Sequence, residues 1–214
     1  MNVIKLTTES PEIKYLCNKD KHLSKVISMI GPISYSLHDD YYAFLIHEII
    51  EQMLSTKTAA QIFDRLCVLC NGNISPAAIN QLSDLEIKSI GTSSSKVNTI
   101  RLLTNAVIDG SINLSALPEL SVSEIISILT SVKGIGNWTA KMFLIFSMNE
   151  LDVLPFEDAA FLQSYQWMYN TSNTDATAVK LKCKKWSPYS SIAARYLYRA
   201  LDAGLTKEPF HLYK

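Results

Sequence analysis

Leu129-Thr-Ser-Val-Lys-Gly-Ile-Gly-Asn-Trp-Thr-Ala140, followed by Asp152-Val-Leu-Pro-Phe-Glu-Asp158, is the stretch from which the rest of this chain can be read. Its pattern is helix, Gly-Ile-Gly turn, helix, and then a carboxylate held about two helical turns further on. A turn with two glycines lets backbone N–H groups approach a phosphate, because no Cβ blocks the way. The helix that follows adds the positive end of its dipole. An Asp just beyond suits chemistry at a sugar carbon whose transition state is cationic. Together these residues predict an enzyme that grips a DNA backbone and acts on the bond between a base and its sugar.

Outward from this segment the pattern is helical almost throughout. Ser10-Pro11 reads as a cap with Pro at the first helical position. Asp20 reads as the cap of a helix whose Leu23, Val26, Ile27 and Ile30 recur at helical spacing, with Gly31 past its end. Further helices are predicted over Tyr41–Leu54, from Ser55 or Thr56 through Leu69, from Ser75-Pro76, and from about Ser95 to Asp109. Ser83 with Glu86, and Ser121 with Glu124, have the spacing of capping boxes. Beyond the turn, Trp138–Met148 is apolar nearly all round and is predicted to be buried. Asp158–Met168, Asp175–Lys185 and Ser190–Ala203 complete the series. The short Leu151–Leu154 run is the one strand-like segment. The expectation is an all-α fold of two helical lobes with an active-site cleft between them. A central lobe, 37–140, holds the hairpin; 1–36 joins 141–214 in the second.

The chain has 214 residues, 48% of them hydrophobic, enough for a substantial core. No run approaches the ~20 apolar residues of a membrane span, and the first residues lack a signal-peptide apolar stretch. Four cysteines form no disulfide pattern, which fits a reducing compartment. The expected location is therefore cytoplasmic, with the chromosome, or nuclear in a eukaryote. Lysine plus arginine number 20 and aspartate plus glutamate 20, which argues against a protein that coats nucleic acid. A small footprint of backbone amides and a few lysines remains compatible with that balance.

A bare Gly-x-Gly is ordinarily a tight turn between packed helices and nothing more. Here Lys133-Gly134-Ile135-Gly136-Asn137-Trp138-Thr139-Ala140 has apolar positions on both sides and small residues that permit close helix approach. To it are added Gln52-Met-Leu-Ser-Thr-Lys-Thr-Ala-Ala60 with Ile62 and Arg65-Leu66, Ile90-Gly91 with Lys96, Asp152-Val-Leu-Pro155 with Asp158, and Trp186-Ser-Pro-Tyr189 with Ala193 and Tyr196-Leu-Tyr198. In this order, over roughly Leu37 to Leu201, the chain resembles the helix-hairpin-helix base-excision DNA glycosylases, in particular the 3-methyladenine DNA glycosylase II branch.

The resemblance implies an enzyme that flips alkylated purines out of double-stranded DNA and hydrolyses the N-glycosidic bond, leaving an abasic site. Asp158, three residues after Pro155, falls at the catalytic aspartate of the family. It would stabilise an oxocarbenium-like sugar and orient the attacking water. Read without the resemblance, it is a helix N-terminal Asp, and Asp152 and Glu157 are rival carboxylates. Relatives that also nick the strand carry a Lys two residues past the second glycine, to form a Schiff base. Trp138 stands there instead, implying a monofunctional enzyme.

Trp138 and Tyr198 match positions of the base pocket, where electron-rich rings suit a cationic base. Their plain readings are a core Trp and an amphipathic-helix residue. Met53 falls at the apolar wedge that fills the stack after flipping; its plain reading is a core Met. Gln52, Met53, Ser55, Lys133, Gly134, Ile135, Gly136 and Thr139 are the DNA-binding candidates, with a monovalent cation possible at the carbonyls of Gly134 and Gly136.

No cofactor is expected. Cys67 and Cys70 have no second pair to make a zinc site, and Cys183 stands alone where some relatives use four cysteines for an iron–sulfur cluster. The histidines 22, 38, 47 and 211 receive no role. The β-rich N-terminal domain of some relatives is not expected. Two departures from the family pattern are Ser190, where an Arg is common, and Glu51, where a small residue is usual. The expected partner is double-stranded DNA containing alkylated bases, with no membrane, and the protein is expected to be a monomer. The alternatives are a DNA-damage-binding protein without turnover, and a glycosylase for another lesion.

Overall fold

The structure, a computed structural model, describes residues 3–213. In chain order the first elements are β1 (Val3–Leu6), α1 (Pro11–Lys19), α2 (Lys21–Ile30), β2 (Ile33–Ser36) and α3 (Tyr41–Glu51). α4 (Thr56–Leu69), α5 (Pro76–Gln81), α6 (Asp84–Ser89), α7 (Ser94–Ile108) and α8 (Val122–Thr130) follow. α9 (Asn137–Phe146), α10 (Ala159–Tyr169), α11 (Ala176–Cys183) and α12 (Ser190–Asp202) complete the all-α architecture. Two compact units form, one over His38–Met148 and the other from the segments on either side of it.

The continuous unit is built on α3, whose Tyr42, Phe44, Leu45, Ile46, Ile49 and Ile50 are all buried. It packs against α4, α7 and α9. α9 is buried on nearly every face, through Met142, Phe143, Leu144 and Ile145, as its composition requires. The whole of α9 lies in this unit, so the lobe boundary read from the sequence at residue 140 falls inside a helix. Both capping boxes are present: the Ser83 hydroxyl accepts from Glu86 N and that of Ser121 from Glu124 N, each Glu returning a bond to the cap backbone. α3 stops at Glu51, three residues before the expected Leu54, because the chain turns at Gln52 and Met53.

The other unit holds a core of Leu16, Leu23, Val26, Phe161, Met168, Trp186, Tyr196 and Leu197. The alanines 193, 194 and 200 of α12 are fully buried and let α2 and α10 pack closely on it. β1 and β2 pair antiparallel, Val3 opposite Ser36 and Leu6 opposite Ile33, which corrects the expectation of a chain without such strands. Each is only four residues long and the partners are separated by α1 and α2, so no hairpin turn signals the pairing. Leu151–Leu154 is not a strand. It is pinned to the start of α12, with Ser191 N donating to Leu151 O at 3.0 Å and Val153 N to Ser191 Oγ at 2.9 Å.

Candidate active site

The Gly-Ile-Gly turn lies between α8 and α9. Gly134 has φ +99°, and a Cβ there would sit 2.0 Å from Thr99 Oγ1, so both backbone and space require glycine. Ile135 is 4% exposed and its N–H donates to Val132 O at 3.0 Å, so it anchors the turn from inside. Its side chain and its amide are thus both engaged within the protein.

Gly136 has φ −101° and nothing within 4 Å of a built Cβ, so its backbone faces open space. α9 begins there with no side-chain cap. By contrast, α2 through α8, α10 and α11 are each capped by a Ser or Asp side chain. A helix start without a side-chain cap, opening on an exposed glycine, offers its first-turn N–H groups to an external anion. Lys133 is exposed beside it and Trp138 is half-buried in the first turn.

The two carbonyls named for a cation each accept one hydrogen bond within the protein. Gly134 O accepts from Gln52 Nε2 at 3.0 Å and Gly136 O from Ala140 N at 3.1 Å.

On the loop after α3, Met53 has φ +59° and its side chain is fully exposed, so it is not a core residue. A non-glycine residue in the left-handed region costs of order 1 kcal/mol or more and is retained where the surroundings over-determine it. Leu54 N donates to Glu51 O at 2.8 Å, closing the turn around it, and Ser55 caps α4 through Thr58 N. Gln52 does not face outward: Nε2 donates to Gly134 O at 3.0 Å and to Thr139 Oγ1 at 3.1 Å. Thr139 is buried, its hydroxyl serving this contact.

Gln52, Gly134 and Thr139 are thus brought together with Met53 adjacent. Two further residues were not singled out from sequence for a role: Lys96, which donates to Ile50 O and Gln52 O at 2.8 and 2.7 Å, and Thr99 beneath Gly134. Their spacing of three on one helix was the available signal.

Also on α3, His47 Nδ1 lies 3.4 Å from Glu48 Oε1 and 3.6 Å from Glu51 Oε2. The Glu48 hydrogen bond, more than offsetting burial, raises the His47 pKa with help from both carboxylates. These three offer the one cluster of potential metal-ligand atoms of that size among the described residues, all within 4.8 Å of one another.

Asp158 and Tyr198 belong to the other unit. Asp158 is 9% exposed and is the N-cap of α10, with Oδ1 accepting from Phe161 N at 2.7 Å. Its own N–H donates to Pro155 O at 2.9 Å, fixing the turn that delivers the carboxylate. Of the rival carboxylates, Asp152 is spent on structure: it accepts from the hydroxyls of Ser187 and Ser190 and from Ser190 N. Ser190, the departure from the usual Arg, is therefore a donor to Asp152. Glu157 is exposed. Tyr198 is half-buried on α12, one turn beyond Arg195. The Arg195 guanidinium is buried 3.7 Å over the Tyr35 ring, and that burial pushes its pKa down to about 10.

Comparison with known proteins gives concordant results. The model of a family described as HhH-GPD superfamily base excision DNA repair protein matches residues 46–188. A DNA-3-methyladenine glycosidase from Bacillus halodurans is similar in structure, with a TM-score of 0.83 and 30% identity, covering 98% of this chain and 97% of that one. The Schizosaccharomyces pombe 3-methyladenine DNA glycosylase in complex with abasic DNA gives a TM-score of 0.82 at 26% identity, covering 96% of this chain and 100% of that one. In sequence, DNA-3-methyladenine glycosylase 1 of the same yeast is 29% identical over 202 residues, 92% of this chain and 88% of the relative.

Proposed function

We infer, from the premise that this chain belongs to the HhH-GPD superfamily of base excision DNA repair proteins, that it is a DNA-3-methyladenine glycosylase of the type II kind. It flips an alkylated purine out of duplex DNA and hydrolyses the N-glycosidic bond, leaving an abasic site. Its relatives named as such, similar over nearly the whole chain, support the substrate class.

In this reading the N–H groups at Gly136 and the start of α9 hold a phosphate, with Lys133 beside them. Met53 fills the stack vacated by the base. Trp138 and Tyr198 meet the cationic base with ring faces. An alkylated purine already carries positive charge, so it leaves with little help from a general acid. What the enzyme must supply is stabilisation of the cationic sugar and a placed water. Asp158 supplies both. Phe161 N and the Asp158–Pro155 turn hold one oxygen in place, so little reorganisation accompanies the reaction. Trp138 has no amine to form a Schiff base, so the enzyme acts through water and does not nick the strand. It works on double-stranded DNA as a monomer.

The single observation that carries this reading is Asp158, a buried carboxylate on a fixed turn ahead of α10. The test is release of 3-methyladenine and 7-methylguanine from methylated duplex DNA by the wild type and by Asp158→Asn, which keeps a side-chain oxygen for the Phe161 amide. The variant should lose about a hundredfold or more in single-turnover rate while still binding abasic-site DNA. Equal rates overturn the catalytic assignment. Tight binding with no release by the wild type itself would mean a damage-binding protein without turnover.

A further inference from the structure

α7 carries two side chains, one turn apart, against the two halves of the DNA-gripping apparatus. Thr99 lies so close beneath Gly134 that the turn can form only around a glycine. Lys96, three residues earlier, sends its ammonium to the carbonyls of Ile50 and Gln52 at 2.8 and 2.7 Å. These belong to the last turn and C-cap of α3, where open carbonyls and the negative end of the dipole favour a cation. Gln52 then reaches across, giving Nε2 to Gly134 O and Thr139 Oγ1. A primary amide has two N–H donors, and both are used here, which leaves Gln52 no proton to offer to DNA. The residue just before Met53 is therefore tied by its carbonyl to α7 and by its side chain to the hairpin. Met53 itself holds φ +59° with no packing of its own, so these ties account for its persistence.

We propose that Lys96 and Gln52 are positioning residues that hold Met53 at a fixed reach from the phosphate-gripping turn, so that capture of the backbone and insertion of the wedge occur as one event. This rests on the reading of Met53 as the wedge. Neither residue touches the reacting atoms; each acts through Met53.

The experiment uses the full chain and three substitutions: Lys96→Met, which removes the ammonium at similar volume; Gln52→Met, which removes the amide; and Lys96→Arg, which restores a cation. Each is bound to a duplex carrying a stable abasic-site analogue next to 2-aminopurine, whose fluorescence rises on unstacking. Release of 7-methylguanine is followed in single turnover from duplex and from single strands.

Lys96→Met and Gln52→Met should lose most of the fluorescence rise and about ten- to a hundredfold in duplex release, with release from single strands unchanged. Lys96→Arg should recover part of both. Lys96→Met combined with Met53→Ala should be no slower than Met53→Ala alone, since one acts through the other. An unaltered fluorescence rise in both variants overturns the proposal. So does equal loss on single and double strands, a loss that multiplies with that of Met53→Ala, or a Met53→Ala protein as active as the wild type. If Lys96→Met fails to fold, Gln52→Met on its own decides. A wild type that unstacks DNA but releases no base places the failure in the glycosylase reading, and the fluorescence still decides the positioning.

Discussion

Met53 and Gly134 are opposite answers to one backbone problem. Gly134 occupies φ +99° with Thr99 beneath it, and its missing side chain is what lets the turn close. Met53 occupies φ +59° with its side chain wholly in solvent, so it bears a left-handed backbone and buries nothing in return. The strain is of order 1–2 kcal/mol, and replacement by glycine would relieve it at a cost of about 0.5–1 kcal/mol in added unfolded-state freedom. Met53→Gly should therefore stabilise the fold by about 0.5–1 kcal/mol in urea unfolding while duplex excision falls, a local trade of stability for function. No gain in stability, or undiminished excision, would remove the case for a strained wedge. The position of Met53 was legible in the sequence, but its conformation was not. It follows a strongly apolar helical run, and periodicity carried that run through Leu54. What ends the helix at Glu51 is the pair of ties from Lys96 and Gln52, whose partners lie far along the chain.

Asp20 joins three pieces of one unit: α2, α10 and the Lys185-Trp186 turn. Its Oδ1 caps α2 through His22 N and Leu23 N at 3.0 and 3.4 Å. Its Oδ2 accepts from Tyr169 OH on α10, from Trp186 Nε1 at 2.9 Å, and meets Lys185 Nζ at 3.0 Å. Burial raises its pKa, but the bonds from Tyr169, Trp186 and Lys185, with the Lys185 charge, outweigh that and hold it below the ordinary value. A depressed folded pKa means stability that is complete above the unfolded value near ~3.9 and lost as pH falls through the folded one. Asp20→Asn should thus cost about 1.5–3 kcal/mol at neutral pH, and the gap to wild type should close as pH falls below about 4. Denaturant unfolding at stepped pH checks this; a gap that persists unchanged to about pH 2 would refute it. Local chemistry made the cap legible, as it did both capping boxes. The partners of Asp20 were not, and nor was the pairing of β1 with β2, because each joins residues distant in sequence with no turn to announce them.

Net charge bears on how the whole protein meets DNA. Twenty basic residues balance twenty acidic ones, and several of the cations are occupied within the fold. Lys96 serves α3, Lys185 faces Asp20, Arg101 pairs with Asp84, and Lys180 covers the Phe156 ring at 3.8 Å. The phosphate site proposed above is made instead of N–H groups at the start of α9, with Lys133 alongside. Backbone amides hold a phosphate without adding formal charge, and counterion release scales with the phosphates neutralised. If only about three phosphates are neutralised, the logarithm of affinity should fall with that of salt at a slope near −3. Fluorescence anisotropy with an abasic-analogue duplex, titrated across potassium chloride concentrations, measures it. A slope steeper than about −6 would require a broad basic footprint and contradict an interface built of backbone dipoles and few cations. The same argument fixes the order of effects in the variants. Lys133→Ala should flatten the slope by about one unit, while Asp158→Asn should leave it unchanged, because in the proposed mechanism that carboxylate faces the sugar and not a phosphate.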